Sequence, residues 1–422
     1  MANTKRIEEA YRLARERYAE AGIDTDKALE QLAKISISLH CWQTDDVSGF
    51  EAGTGGAGGG TMATGNYPGK SRTMDEMKQD LEKVFSLVPG KHRLALHASY
   101  GDFGGKKVDR DAIEPKHFQT WIDWAKHIGI GLDFNSTFFS HPLAASGFTL
   151  SHLDSQVRKF WIEHAKRCRE ISAYMGKSLH TRCIHNIWIP DGSKDVTVNR
   201  LKHRQLLLSS LDEILKKPYE GKEAADSLES KLFGIGSESY VVGSHEFYYG
   251  YAVKHNLIYC LDMGHFHPTE SPGEKISAML LYVPELMTHI SRGIRWDSDH
   301  VVIVTDELNM LTHEIVRGNF LSRVNVGLDF FDASINRIGA YVVGIRATQK
   351  SFLMALLEPV ETIRKYEENG QGFEKLAAME EAKSLPSGAV WDYFCLTQNV
   401  PVGNEYIPVI QQYEKEVLSK RK

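Results

Sequence analysis

Short apolar runs and amphipathic helical segments alternate along most of this chain, and that alternation limits the folds open to it. Eight runs have the length and composition of strands, at residues 35–41, 93–97, 130–134, 181–189, 231–234, 257–262, 286–291 and 324–329. Strands that alternate with helices predict a parallel sheet. Eight repeats of the unit favour a closed (β/α)8 TIM barrel over the alternative, an open doubly wound sheet.

Helical periodicity predicts the segments that precede, connect and follow these strands. In the first of them, Ile7, Tyr11, Ala14 and Tyr18 recur at helical spacing, and Gly22 ends the run. Further helical patterns cover about residues 73–88, 118–128, 152–175, 199–216, 275–283, 306–317, 336–357, 359–384 and 404–419. We therefore expect an N-terminal helical segment at 1–34, a barrel at 35–358 and a C-terminal helical arm at 359–422.

Charge and cysteine content exclude several classes of protein. The 50 basic and 55 acidic residues give a net charge of −5, which provides no basic surface for nucleic acid or for a membrane. The five cysteines are scattered without a C-x-x-C pair, as is typical of reduced cytosolic thiols. No apolar run approaches the ~20 residues of a membrane span, and the charged N-terminus does not resemble a signal peptide. We expect a cytoplasmic protein without a membrane or nucleic-acid partner.

Acidic residues and histidines follow four consecutive predicted strands. Catalytic groups of a barrel of this type lie at the carboxyl ends of its strands. The residues at those ends are Glu229 and Lys231 at the fifth strand, Asp262 and His265 at the sixth, His289, Asp297 and Asp299 at and after the seventh, and Asp329 at the eighth. Carboxylates and neutral imidazole suit Mn²⁺, Co²⁺, Zn²⁺ or Mg²⁺, and seven such ligands suit two ions better than one.

Each of these residues also has an ordinary structural interpretation. Glu229 and Lys231 could form a surface ion pair, Asp262 could cap a helix, and His289 could be a satisfied core histidine. Two of the proposed ligands have neighbours that could replace them, since His267 competes with His265 and Asp332 competes with Asp329. The joint position of the set after four successive strands is what favours a metal site.

The remaining candidate residues are those that would contact a substrate. Lys231 lies two residues after Glu229, so both side chains face the same way in an extended chain. A lysine ammonium beside a metal cluster can donate to a substrate oxygen on which negative charge develops. Trp42, His97, Phe134 and Trp188 follow or end the first four strands, and aromatic walls suit the C–H faces of a sugar.

One glycine-rich segment, Gly53–Gly60, contains G-x-G-x-x-G. A dinucleotide-binding fingerprint must follow a strand directly and open a helix, and this segment does neither. We interpret it as a mobile loop over one end of the barrel.

Long strings around the proposed ligands resemble the L-rhamnose isomerase family. They include Glu229-Ser-Lys231, Leu261-Asp-Met-Gly-His265, Arg295-Trp-Asp-Ser-Asp299 and Gly327-Leu-Asp329, and the likeness extends over nearly the whole chain, through Ser38–Trp42, Thr64–Gly69 and Asn186–Asp191. The metal pattern alone resembles the wider xylose isomerase superfamily. The resemblance implies an intramolecular oxidoreductase that converts L-rhamnose to L-rhamnulose as a homotetramer, with the C-terminal arm serving oligomerisation.

The resemblance also assigns roles to individual residues. It implies that Glu229, Asp262, His289 and Asp329 bind a structural metal, and that His265, Asp297 and Asp299 bind a catalytic one. Manganese is the metal that it implies, with two ions per subunit. Lys231 matches the lysine near the substrate O1, so Lys231 and Asp297 are the expected catalytic residues, and His97, Phe134, Trp188 and Lys231 are the expected substrate contacts.

Two other functions use the same residue types. A metallohydrolase or barrel endonuclease would need similar ligands, but a nuclease should carry a basic surface. A non-catalytic sugar-binding protein would need neither two metals nor Lys231. For an isomerase, a metal-assisted hydride shift needs no carbon base, whereas an enediol route needs a positioned Glu or His. The many ligands and few spare bases favour the hydride shift.

Overall fold

The computed structural model describes residues 2–51, 63–232 and 239–421. Its strands, numbered in chain order, are β1 (Ile37–His40), β2 (Arg93–His97), β3 (Gly131–Asn135), β4 (Cys183–Trp188), β5 (Gly192–Ser193), β6 (Ala224–Glu229), β7 (Tyr240–Val241), β8 (Ile258–Asp262), β9 (Leu286–Ile290) and β10 (Val324–Leu328). Eight of them close into a parallel barrel in the order β1-β10-β9-β8-β6-β4-β3-β2. The predicted (β/α)8 barrel is therefore confirmed. The short strands β5 and β7 form a separate antiparallel pair.

Helices surround the barrel and continue beyond it. They are α1 (Ala2–Glu20), α2 (Thr25–Leu32), α3 (Met74–Phe85), α4 (Gln119–Ile128), α5 (Ser155–Leu179), α6 (Arg200–Ile214), α7 (His245–His255), α8 (Lys275–Met279), α9 (Asp306–Arg317), α10 (Arg337–Leu356), α11 (Val360–Glu368), α12 (Gly372–Ala382), α13 (Ser387–Thr397) and α14 (Tyr406–Glu416). The predicted helical C-terminal region is present as α11–α14. Within the described ranges, no helix is long and apolar enough to cross a bilayer.

Local signals explain why several helices begin and end where the sequence predicts. Thr73 caps α3 by accepting a hydrogen bond from the Glu76 backbone N–H, as its capping box predicts. Gly129 ends α4 with a φ of 75°, a left-handed conformation that glycine adopts without strain. Among the described helices, α2, α7 and α13 match none of the individual helical patterns, although α2 and α13 fall within the helical segments expected at 1–34 and 359–422. The apolar residues of α7, most of them aromatic, are spread around its circumference, so its periodicity is weak.

The fifth barrel strand lies upstream of its predicted position. The prediction of a strand at 231–234 is wrong, because β6 occupies Ala224–Glu229, and Lys231 follows it in a loop. Residues 233 and 234 lie outside the described residues. The strand lacks a run of large apolar side chains, since Asp226 sits on its outer face. There the Asp226 carboxylate accepts hydrogen bonds from Arg169 and His185 at 3.0 Å.

Strand alternation separates the barrel interior from its outer core. On β3, Asp133 and Asn135 face the interior, whereas Phe134 packs outward against Phe118 at a ring distance of 4.9 Å. Because all eight strands are parallel, their carboxyl ends meet at one rim. Side chains that face inward near that rim converge on one region.

A close helix–strand contact gives a stability test of this packing. A Cβ on Gly176 in α5 would lie 1.7 Å from the Glu223 backbone oxygen, which the barrel holds in place. Gly176→Ala should therefore destabilise the fold by about 1–3 kcal/mol, as overpacking does, and lower the melting temperature.

The matched control is Gly250→Ala in α7, where no atom other than those of the adjoining residues and the helix's own backbone lies within 4 Å of the added Cβ. That substitution should stabilise the protein by about 0.5–1 kcal/mol, because alanine is the better helix former. Equal melting temperatures for the two variants would contradict the packing described for α5.

Candidate active site

The predicted ligands all lie at the carboxyl rim of the barrel. Glu229 and Asp262 are the last residues of β6 and β8, and Asp329 directly follows β10. His289 lies near the end of β9 and pairs with Asp262 in the strand register. The fold thus brings together residues that are a hundred positions apart in the sequence.

One group of four ligand-type residues forms a compact cluster. Atoms of Glu229, Asp262, His289 and Asp329 lie within 4.8 Å of one another. The His289 Nδ1 atom is 3.2 Å from Glu229 Oε2, 3.7 Å from Asp262 Oδ2 and 3.4 Å from Asp329 Oδ2. This set is the same as the one expected for a structural metal.

A second group lies beside the first and shares Asp262 with it. It consists of Asp262, His265 and Asp297, again with ligand atoms within 4.8 Å of one another. His265 Nε2 is 3.4 Å from Asp297 Oδ2 and 3.9 Å from Asp262 Oδ1. Asp299 lines the same cavity. Compared with the expected catalytic-metal set, Asp262 takes the place of Asp299 in this group.

The donor atoms fit a divalent cation. Asp262 Oδ2, His265 Nδ1, His289 Nδ1 and Asp297 Oδ1 are buried, and none has a hydrogen-bond partner among the described residues. Buried polar atoms normally have such partners, so an unsatisfied set points to something else that binds there. Carboxylate oxygens with imidazole nitrogens are the donor set that Mn²⁺ and similar ions accept.

Cys260 was not expected near the site. It precedes Asp262 by two residues on β8, and its sulfur forms a further group with Glu229 and His289. Burial raises the pKa of the Cys260 thiol, so a neutral thiol lies beneath the carboxylates. Strand alternation from Asp262 is the sequence signal that indicates its position.

Crowded carboxylates perturb one another in this site. Burial raises the pKa of Asp262 to about 7, and the negative charges of Glu229 and Asp297 add to that effect. Burial would also raise the pKa of Glu229, but the charges of His289 and His265 outweigh it and hold that pKa at about 2. Bound cations would favour the ionised carboxylates and displace the protons.

Lys231 lies in direct contact with this acidic site. Its ammonium pairs with Asp297 Oδ2 and lies 3.0 Å from His265 Nε2. It also lies 5.2 Å from the centre of the Trp188 ring. Burial would lower the pKa of Lys231, but the carboxylates of Asp297 and Asp299 outweigh it and raise that pKa. A charged, buried donor therefore faces the cavity.

Aromatic residues line the cavity above the carboxylates, and three of the four expected ones are there. Trp42, His97 and Trp188 line it, and Trp42 Nε1 donates to Asp329 Oδ1 at 3.0 Å. The expectation for Phe134 is wrong. Its ring is fully buried on the outer face of β3, because strand alternation turns it away from the barrel interior.

Several cavity residues were missed in the sequence analysis. They are Val47, Asn135, Phe139, Asn186 and Phe331. Asn186 donates to Glu229 Oε2 at 2.5 Å and so orients that carboxylate. Alternation along β4 from Trp188 indicates Asn186, and alternation along β3 from Asp133 indicates Asn135. Phe139 lies in a loop, where no periodic signal identifies it.

The two competing ligands lie elsewhere. The exposed His267 contacts Thr269, and the Asp332 carboxylate accepts hydrogen bonds from Ser334. The geometry therefore favours His265 and Asp329. The glycine-rich segment Gly53–Gly60 lies outside the described residues.

A larger cavity, of about 480 Å³, lies at the opposite end of the barrel. Within it, Arg93 binds Asp133 through two hydrogen bonds of 2.8 Å, and Arg182 pairs with Glu285, which does not line the cavity. The four unsatisfied carboxylate and imidazole atoms of the two clusters lie at the carboxyl rim instead.

Comparison with known proteins identifies a family for the whole chain. The sequence model of the L-rhamnose isomerase (RhaA) family matches residues 5–421. An L-rhamnose isomerase of Bacteroides thetaiotaomicron is 56% identical over 421 residues, covering 100% of both chains. One of Rhodopirellula baltica is 55% identical over 415 residues, covering 98% of this chain and 97% of its own. Among solved structures, an L-ribulose 3-epimerase is 11% identical with a TM-score of 0.49, covering 78% of this chain and 96% of its own.

Removing one ligand charge should weaken cation binding. A bound ligand stabilises the fold by RT ln(1 + [L]/Kd), about 4 kcal/mol at a thousandfold excess over Kd. Because Glu229 contacts both histidines, Glu229→Gln should shrink the rise in melting temperature that Mn²⁺ produces in the parent. Melting curves with and without Mn²⁺ measure this.

The control is Asp191→Asn, at a buried carboxylate held by Thr149 and Ser151 away from the clusters. It should lower the melting temperature but leave the Mn²⁺-dependent shift intact. A full shift in Glu229→Gln would mean that Glu229 is not a ligand.

Proposed function

The chain belongs to the L-rhamnose isomerase family, and on that basis we propose that it converts L-rhamnose to L-rhamnulose. The match of the family model over residues 5–421 is the observation that carries this proposal. The carboxylates and histidines at the rim support it, because they provide the ligands that such a reaction needs. The reaction moves one hydrogen from C2 to C1 and one proton between the two oxygens, so it needs no external oxidant.

We propose two Mn²⁺ ions as cofactors, with Co²⁺, Zn²⁺ or Mg²⁺ as possible substitutes. Glu229, Asp262, His289 and Asp329 would hold one ion, and His265, Asp297 and Asp299 the other. The ions would polarise the sugar oxygens O1 and O2, which favours a 1,2-hydride shift. The closeness of the ligand atoms in the two clusters, and the four of them that have no hydrogen-bond partner among the described residues, support this assignment. Asp299 is included because it lines the same cavity.

The residues of the chain itself supply the remaining functions. Lys231 would donate a hydrogen bond to O1 as negative charge develops there, and Asp297 would hold Lys231 in place. Asn186 and Trp42 orient Glu229 and Asp329 by hydrogen bonds. His97, Phe139 and Trp188 would pack on the sugar and exclude water from the reacting carbons.

We further propose that the protein is a cytoplasmic homotetramer in which the 359–422 arm forms part of an interface. Phe373 and Leu376 on α12 are 80% and 64% exposed. The two side chains are three residues apart and share one face of the helix, and a contiguous exposed apolar patch is typical of an interaction surface. The barrel at 35–358 and the segment at 1–34 would be the other two regions of the subunit.

Incubation with a panel of aldoses and Mn²⁺ tests the proposed function. We expect ketose formation from L-rhamnose, loss of that activity with a chelator and recovery when Mn²⁺ is added back. The physical reason is that the ligand set has no spare base to move a carbon-bound proton.

Two outcomes would contradict parts of this proposal. Cleavage of a phosphodiester, with no ketose formed from any aldose, would favour the metallohydrolase. Deuterium incorporated at C1 when the reaction is run in deuterium oxide would favour the enediol route over the hydride shift.

Lys231→Met distinguishes a working ammonium from a passive counter-ion. Loss of one donor to developing negative charge costs ~10²–10³ in rate, so turnover at saturating Mn²⁺ should fall by that factor. Metal content should stay near the parental value, because Lys231 is not a ligand. Lys78→Met, at a half-buried lysine on α3 that donates to the Thr120 backbone, is the control. Near-parental turnover with tighter metal binding would show that Lys231 acts only as a counter-ion to the carboxylates.

A further inference from the structure

Arg110 joins the loops that follow the first three barrel strands. It lies in a short 3₁₀ turn between β2 and α4 and is only 2% exposed. Its guanidinium binds both carboxylate oxygens of Glu51, in the loop after β1, at 2.9 and 2.8 Å. It also donates to the backbone oxygens of Thr137, Phe139 and Ser140, in the loop after β3.

The loop that Arg110 holds carries part of the cavity wall. The Phe139 ring lies 5.5 Å from the His97 ring and 5.7 Å from the Trp188 ring, so it fills the space between them. Thr137 Oγ1 lies 3.0 Å from His97 Nδ1. Arg110 thus holds the backbone of Thr137, which contacts the His97 ring, and the backbone of Phe139 itself.

The conformation of this loop needs support from outside it. Ser140 has a φ of 54°, in the left-handed region that residues with a side chain rarely adopt. His164 supports the other end, since its Nε2 accepts from the Thr137 backbone N–H and its Nδ1 lies 3.0 Å from the Arg110 backbone oxygen. The three backbone oxygens that Arg110 binds all belong to this loop, which contains the left-handed Ser140.

We propose that Arg110, paired with Glu51, is a positioning residue for substrate binding that holds Phe139 and His97 in place as a preformed wall of the sugar site. This role rests on the proposed function, since it assumes that the wall packs against a sugar. Arg110 lies behind the wall and takes no part in the cation clusters. Its loss should weaken substrate binding and leave the affinity for Mn²⁺ unchanged.

Arg110→Lys is the first test. A lysine keeps the charge but lacks the planar fork, so it cannot bind Glu51 and three carbonyls at once. Without a preformed wall, the substrate must order Phe139 and His97 as it binds. We expect KM for L-rhamnose to rise about tenfold with kcat changed less than twofold, the pattern of lost uniform binding.

Arg169→Lys is the matched control. Arg169 is equally buried, binds the Asp226 carboxylate with both donors and donates to the Ile214 and Lys217 backbone oxygens. It belongs to α5 and contacts the outer face of β6, away from the wall. Both substitutions should lower the melting temperature, but only Arg110→Lys should raise KM. Equal KM values in the two variants would overturn the proposal.

A double-mutant cycle shows whether Arg110 acts through Phe139. Arg110→Lys should raise KM much less in a Phe139→Ala background than in the parent, because part of the wall is already gone. The same rise in both backgrounds would overturn the role through Phe139. If Arg110→Lys does not fold, Glu51→Gln replaces it, with an expected KM rise of a few-fold and an unchanged KM as the contrary result.

The parent enzyme separates this proposal from the proposed function. A parent that forms no ketose from L-rhamnose contradicts the function, and calorimetric titration of parent and Arg110→Lys with the sugar that the parent does bind then tests the wall alone. An active parent with no KM difference between the arginine variants contradicts only the role of Arg110.

Discussion

Closure of the sheet is the constraint on which this site depends. Strand β1 hydrogen-bonds to β10 on one side and to β2 on the other, so the first and last strands of the barrel become neighbours. That contact brings Trp42 to Asp329, which lie 287 residues apart in the sequence. Since all strands run the same way, the ring of carboxyl ends collects ligands from four strands. An open sheet of the same strands would leave the two ends of this ring apart.

The buried charges of the site reduce the stability of the fold. Five carboxylates, two histidines and a lysine lie close together, most of them buried, and burial raises the pKa of Asp262. Such a cluster is costly for folding, because each buried charge loses its hydration. Hydrogen bonds from Asn186 and Trp42 offset part of that cost. The arrangement is typical of a site shaped for a bound cation rather than for stability.

Hydrophobic periodicity and the positions of the strand ends predict part of this fold and part of this site. The barrel, the C-terminal helices and the positions of six of the seven ligand-type residues followed from alternation and from the rule that the carboxyl ends share one rim. Glu229 did not, because it precedes the strand predicted at 231–234 and ends a strand only in the structure. The sequence misplaced β6, because Asp226 and Ser227 interrupt the apolar run of a buried strand, and the partners of Asp226, Arg169 and His185, are distant in sequence. Phe134 was assigned to the wrong face of β3, although alternation from Asp133 would have placed it. Phe139 could not be predicted, because its position depends on a loop held by Arg110.

The loops of a barrel are usually regarded as separate modules that can be exchanged one at a time on a constant scaffold. The hydrogen bonds of Arg110 make that untrue for the first three loops of this chain, since one side chain satisfies groups in its two neighbours. We therefore expect residues of these three loops to change together among related sequences. A substitution at Glu51 would need a compensating change at Arg110, and a design that grafts a new β3 loop onto this barrel would have to transfer the other two with it.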